Sequence, residues 1–203
     1  MFIEKPLAGN THEARRIVER SSSIGKMNMV GFQKRFLPQF QRVKSLLDQG
    51  ALGDLLFFRG YSFVSSVFSS GKGWRFERGQ GGSLVDLGAH LIDLIVWYFG
   101  EPRALSAVER QFYSREVEDF SHIAFDFSSG LAGYIDVSWS VRGYRLAETQ
   151  LEIQGKNGSM VVSDDGLKMN ILSDVPNVIS EGNYDFKKPD LLTGVDYLLG
   201  DPE

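Results

Sequence analysis

The chemistry most visible in this sequence lies along one stretch, SLVDLGAHLIDLIVW (83–97). Asp86, His90, Asp93 and Trp97 recur there at i, i+4, i+7 and i+11, which on a helix puts them on one stripe. A carboxylate one turn from an imidazole can fix its tautomer and hold it as a general base near neutral pH. A structural reading stands beside this one. An acidic residue in a first helical turn favours the positive end of the helix dipole, and a single histidine among apolar residues is commonly core. Three ligands strung along one straight helix span too much arc for one tetrahedral ion, so no metal site is expected from Asp86, His90 and Asp93.

Other candidates lie away from this stretch. Lys5 stands between Glu4 and Pro6, where proline restricts it to extended geometry and the carboxylate can orient its ammonium. The Lys5–Pro6 bond is also one that can be cis. GFQKRF (31–36) alternates apolar and basic residues at the end of a predicted strand, a common ligand position in α/β proteins, although a surface Lys-Arg pair fits equally well. GWRF (73–76) follows a Ser/Gly-rich loop and sets Trp74 beside Arg75. That pair can wall a pocket and contact a polyol, or simply anchor the loop. No G-x-G-x-x-G, P-loop or G-x-S-x-G segment occurs.

The elements that must position these residues follow from periodicity and caps. NTHEARRIVERSSS (10–23) reads as a helix capped by Asn10 or Thr11, with Ala14, Ile17 and Val18 as its apolar stripe. KMNMVGF (26–32) reads as a short, largely buried strand, and MFI (1–3) as its parallel neighbour. Pro38 opens a second helix with Phe40, Val43, Leu46 and Leu47 on one face and Gly50 as its stop. The helix of residues 83–99 has Leu87, Leu91, Leu94, Ile95 and Tyr98 as its core stripe and Gly100 as its end, while Gly81 and Gly82 before it permit close backbone approach.

Residues 53–64 and most of 103–172 read as strands. The later ones, separated by turn signals at 128–130, 156–158 and 164–166, are expected to form consecutive antiparallel hairpins. In YIDVSWSV (134–141), Ile135, Val137 and Trp139 should face inward, with Tyr134, Asp136 and Ser138 on the other side. The last twenty or so residues show no period and read as irregular.

Composition excludes several classes. The chain has 203 residues, a net charge of −4 from mixed signs and no basic block, which argues against nucleic acid or an anionic membrane as partner. No apolar run approaches the roughly 20 residues of a membrane span. With zero cysteines there are no disulfides, thiol catalysis or thiolate metal sites, and a cytoplasmic location is expected.

Taken together, EKPLA, MVGFQKRF, GWR and GGSLVDLGAHLIDLIVWYFGEP resemble the Gfo/Idh/MocA oxidoreductases, the group of glucose–fructose oxidoreductase and inositol dehydrogenase, over residues 3 to about 163. The resemblance implies an α/β (α+β) fold, in which residues 1–33 are the remnant of a dinucleotide-binding Rossmann domain. Residues 34–203 would form a substrate-binding and oligomerisation domain with a large, mostly antiparallel, open-faced sheet. It implies NAD or NADP as cofactor and hydride transfer to or from a sugar, inositol or related polyol, with Lys5, Asp86 and His90 catalytic. It also places Glu4, Lys5 and Pro6 at the cofactor, and Arg35, Trp74 and Arg75 at the substrate. Members of this family carry most of a Rossmann domain before the Lys-Pro motif. The expected partners are therefore that half, in cis or as a separate chain, and further copies of this chain through the sheet. The alternative expectation is a non-catalytic fragment serving assembly or carbohydrate binding.

Overall fold

Alternating side chains and turn residues build one eight-stranded sheet, which the computed structural model describes within residues 1–68, 73–79 and 81–187. Its strands are β3 (Leu55–Phe63), β4 (Ala104–Arg110), β5 (Phe120–Asp126), β6 (Ala132–Ser138), β7 (Glu148–Gly155), β8 (Gly158–Ser163), β9 (Gly166–Ile171) and β10 (Gly182–Lys187), in the spatial order β10-β9-β8-β7-β3-β6-β5-β4. β4-β5-β6 and β7-β8-β9-β10 are antiparallel runs. Between them lies β3, antiparallel to β7 and parallel to β6. The expected run of consecutive hairpins is thus interrupted, because a strand from earlier in the chain separates β6 from β7. β10 also forms where irregular chain was expected; its register with β9 runs from Gly182 opposite Ile171 to Lys187 opposite Gly166. The remainder of the terminal stretch, from residue 188, lies outside the described residues.

One face of the sheet is apolar and the other mixed. Ile123, Phe125, Ile135, Val137, Leu151, Ile153, Met160 and Val162 are buried against two helices, α2 (Pro38–Asp48) and α3 (Ala89–Phe99). α2 buries Phe40, Val43 and Leu46, and α3 buries Leu91, Leu94, Ile95 and Tyr98, as their spacing predicts. Tyr98 Oη donates to the Phe40 carbonyl at 2.9 Å, so a buried hydroxyl also ties the two helices together. The opposite face carries Arg59 bonded to Glu152, Tyr61 to Glu148 and His122 to Asp136.

Residues 1–33 fold as β1 (Phe2–Ile3), α1 (Thr11–Ser23) and β2 (Met29–Val30), with β1 and β2 parallel. Asn10 caps α1 by accepting from Glu13 N–H at 2.9 Å. Two expectations fail here. The 26–32 strand shortens to two residues, and Met27 is 91% exposed, because β1 is the one strand that pairs with it among the described residues. The Ile17 and Val18 stripe of α1 likewise buries nothing fully. No helix among the described residues is long and apolar enough to cross a membrane.

The parallel β3–β6 seam is tight enough to specify glycine. A Cβ built on Gly133 would fall 2.5 Å from both the ring and the carbonyl oxygen of Phe58, which is fully buried and stacks on Phe99 at 5.0 Å. Gly133→Ala should therefore lower the urea unfolding free energy by about 1–3 kcal/mol, the usual cost of overpacking a core. An unchanged midpoint would show that the seam relaxes freely.

Candidate active site

The polar stripe of the 83–99 helix meets two other segments of chain. The start of this helix is a π-helical turn, Leu84–Gly88, which runs on into α3 and leaves Asp86 buried at the junction. Single π turns of this kind widen the helical ladder and recur at functional sites. Lys5 Nζ donates to the backbone carbonyl of Asp86 and, at 3.0 Å, to its Oδ1, with the two side chains only 12% and 9% exposed. Arg75 Nε approaches the same Oδ1 at 3.3 Å. The glycine pair explains how Arg75 gets there. Gly82 N–H donates to the Arg75 carbonyl at 2.9 Å, and a Cβ on Gly81 would fall 1.9 Å from that oxygen. Gly82 itself has φ +115°, and Glu118, which accepts from Leu84 N–H at 2.9 Å, occupies the space its side chain would need.

These residues open onto a cleft of about 590 Å³ whose lining includes Glu4, Lys5, Lys34, Arg75, Asp86 and His90. Ser62 and Thr149 also line it, their hydroxyls 3.0 Å apart. A larger groove of about 1030 Å³ runs along α1 and is mostly apolar, with none of the candidate residues in its lining.

The other sequence-derived candidates are placed differently. Pro6, after a cis Lys5–Pro6 bond, is not in the cleft lining. Trp74 lies under the Arg75 guanidinium at 5.8 Å and is not in the lining either. Arg35 points away from the cleft. Its Nε and Nη2 fork onto the Asp93 carboxylate at 2.7 and 2.6 Å, and its guanidinium lies 5.6 Å from the Trp97 ring. Asp93 and Trp97 thus hold the turn Gln33–Phe36, and it is Lys34 of that turn that reaches the cleft, ion-paired with Asp164.

His90 differs from the expectation drawn from spacing. Asp86 gives its Oδ1 to Lys5 and Arg75, while His90 Nδ1 is buried with no hydrogen-bond partner. Burial and the charges of Lys5 and Lys34 push the imidazole down to about 4, against the weaker opposing pull of Asp86 and Asp164. The ring is therefore neutral at neutral pH, and it forms a T-shaped pair with Phe32, centroids 6.3 Å apart. Asp164, Ser62 and Thr149 are among the cleft residues that the sequence does not signal, whereas Lys34 belongs to the GFQKRF pair, whose Arg35 is the one expected at the substrate. Asp164 sits in a DDG segment that reads only as a turn.

A cleft combining a buried ammonium–carboxylate pair with a neutral imidazole can bind a hydroxyl and exchange its proton. The model of the GFO/IDH/MocA C-terminal domain matches residues 40–161. Trans-1,2-dihydrobenzene-1,2-diol dehydrogenase of Oryctolagus cuniculus is 34% identical over 142 residues, covering 69% of this chain and 42% of that protein. Levoglucosan dehydrogenase of Pseudarthrobacter phenanthrenivorans is 28% identical over 189 residues, covering 79% of this chain and 48% of that one. A levoglucosan dehydrogenase structure in complex with NADH and levoglucosan superposes with a TM-score of 0.81 at 26% identity, over 92% of this chain and 54% of that one. The chain spans less than half the length of these two curated relatives. The match over residues 40–161, most of the sheet and both helices that cover it, shows that this chain belongs to the GFO/IDH/MocA family through its C-terminal domain.

Proposed function

We propose that this chain supplies the substrate end of an NAD(P)-dependent oxidoreductase that moves hydride to or from the carbinol carbon of a sugar or related polyol. The observation that carries the reading is the meeting of Lys5, Asp86 and His90 in one cleft, from segments 81 residues apart. Two similar structures, at 26% identity, are levoglucosan dehydrogenase with NADH and levoglucosan, and with NADH and L-sorbose. They support a hydroxyl-rich substrate.

The residues present suit the nicotinamide end of such a cofactor. Glu4 and Lys5, both in the cleft lining, would face it, with Pro6 just behind them, and the His90 ring shares that lining where a hydroxyl can approach. When bound, the nicotinamide takes up or releases the hydride. Everything else falls to side chains of this chain. Asp86 holds the Lys5 ammonium in place, and Lys5 donates to the substrate oxygen, stabilising negative charge as it develops. The neutral His90 imidazole accepts the hydroxyl proton as the C–H bond gives up its hydride and the C–O bond becomes a carbonyl. In the reverse direction the imidazolium returns that proton. In this reading residues 1–33 are the end of a dinucleotide-binding domain.

The test is dinucleotide reduction by the chain supplied with a dinucleotide-binding half, across levoglucosan, inositol and neutral hexoses. Turnover is expected, and Lys5→Met or His90→Asn should each lower kcat/KM by about 10²–10⁴-fold, the usual weight of one acid–base group. Cofactor binding without turnover of any of these alcohols, or turnover indifferent to His90, contradicts the reading.

The pH profile gives a second test. His90 must be unprotonated to accept a proton, and its folded value lies near 4, so oxidation should be flat from pH 6 to 8 as far as this group is concerned. It should fall as pH drops through about 4. An acid limb centred near the ordinary histidine value of about 6.5 would show that the folded imidazole is not held neutral.

A further inference from the structure

Four side chains in the cleft form a polar network that the proposed proton exchange leaves unused. Thr149 of β7 stands opposite Ser62 of β3, and their hydroxyls meet at 3.0 Å. Thr149 N–H donates to Asp164 Oδ2 at 2.9 Å, and Oδ1 of that carboxylate takes the Lys34 ammonium. Gln39, fully buried, donates from Nε2 to the Asp164 carbonyl at 3.1 Å and so fixes the β8–β9 turn. The fork of Arg35 onto Asp93 fixes the turn that carries Lys34. Ser62, Thr149, Lys34 and Asp164 all line the cleft that also holds Lys5, Asp86 and His90. The π turn bearing Asp86 packs on β3, the strand bearing Ser62.

This network has more hydrogen-bonding capacity than the protein uses. Two hydroxyls carry two protons, and only one proton can lie between their oxygens. Neither hydroxyl has another partner among the described residues, although Ser62 and Thr149 are only 2% and 1% exposed. Lys34 has three N–H donors and, among the described residues, one acceptor, Asp164. A cross-strand hydroxyl pair can serve sheet stability alone. The same face of these two strands is apolar further along, where Phe58, Leu151 and Ile153 are buried, and it turns polar at the cleft.

We propose that Lys34, Asp164, Ser62 and Thr149 form a subsite that binds a hydroxyl of the polyol other than the one that reacts, and so decide which alcohols the cleft accepts. This rests on the reading of the cleft as the substrate site of an alcohol-oxidising enzyme. Buried polar groups require partners, and a hydroxyl both donates and accepts. Lys34 and Asp164 cancel each other's charge, so the network suits a neutral hydroxyl rather than an anionic group. An alcohol without a second hydroxyl would leave these groups unpaired, which a polar site penalises far more than an apolar pocket penalises a missing methylene.

The test is binding to the whole chain, followed by NMR at the amides of residues 149 and 164, the first of which is bonded to the Asp164 carboxylate. Levoglucosan, inositol and glucose are titrated as probes, with cyclohexanol as the alcohol lacking a second hydroxyl. Saturable shifts are expected with at least one polyol and none with cyclohexanol. Thr149→Val should weaken polyol binding about 3–10-fold, the weight of one uncharged hydrogen bond, and Thr149→Ser should restore it. Lys34→Met, which lies outside the sheet, should cost about 10–100-fold and decides the matter if Thr149→Val does not fold. Turnover with a dinucleotide-binding half is measured separately. Polyol binding that persists without turnover removes the dehydrogenase reading and keeps the subsite. No saturable shift with any of the three polyols, or equal shifts with cyclohexanol, overturns the proposal. So does a Thr149→Val chain that loses stability with polyol affinity unchanged, since the pair would then serve the sheet alone.

Discussion

The contact between Lys5 and Asp86 is the constraint on which the cleft depends. It joins a residue just after the first strand to one at the head of the 83–99 helix, and it uses both the carboxylate and the backbone carbonyl of Asp86. Burying two such charges is favourable only when each finds a partner of good geometry, and removal of one leaves the other stranded in a low-dielectric site. The π-helical turn brings Asp86 to this position, and the glycines before it let Arg75 approach the same carboxylate. α1 buries none of its residues, so this pair and the packing of Phe32 against His90 carry much of the tie between residues 1–33 and the sheet domain.

The cleft is built from charged groups of both signs around one uncharged imidazole. The sequence suggests that Asp86 orients His90, whereas the structure gives Asp86 to the lysine and the arginine and leaves the imidazole to be governed by desolvation and by two lysines. A carboxylate hydrogen-bonded to the ring would have raised its affinity for protons. Burial and the charges of Lys5 and Lys34 do the opposite, so the ring is uncharged at neutral pH.

How much of this could be read from the residues depends on whether the deciding interaction is local. Leu87, Leu91, Leu94, Ile95 and Tyr98 declared the buried face of the 83–99 helix because a 3.6-residue period is visible in one segment. The alternation of Ile135, Val137 and Trp139 was visible in the same way. The place of β3 between β6 and β7 was not, because that pairing joins strands some 75 to 100 residues apart in the sequence and leaves no local mark. Arg35 is expected at the substrate through the resemblance alone, and the structure puts Lys34 in the lining instead, because residues 33–36 form a 3₁₀ turn in which Arg35 forks onto Asp93. Asp164 was illegible for a simpler reason, since aspartates in a DDG turn usually cap the turn and nothing more.

A double-mutant cycle measures directly how strongly the Lys5–Asp86 pair docks the first segment onto the sheet domain. Urea unfolding of the unaltered chain, Lys5→Met, Asp86→Asn and the double variant isolates the energy that the two side chains share. A favourable coupling of about 1–3 kcal/mol is expected, within the range that contacting residues show. Effects that add to within about 0.5 kcal/mol, as they do for distant and independent sites, would contradict it.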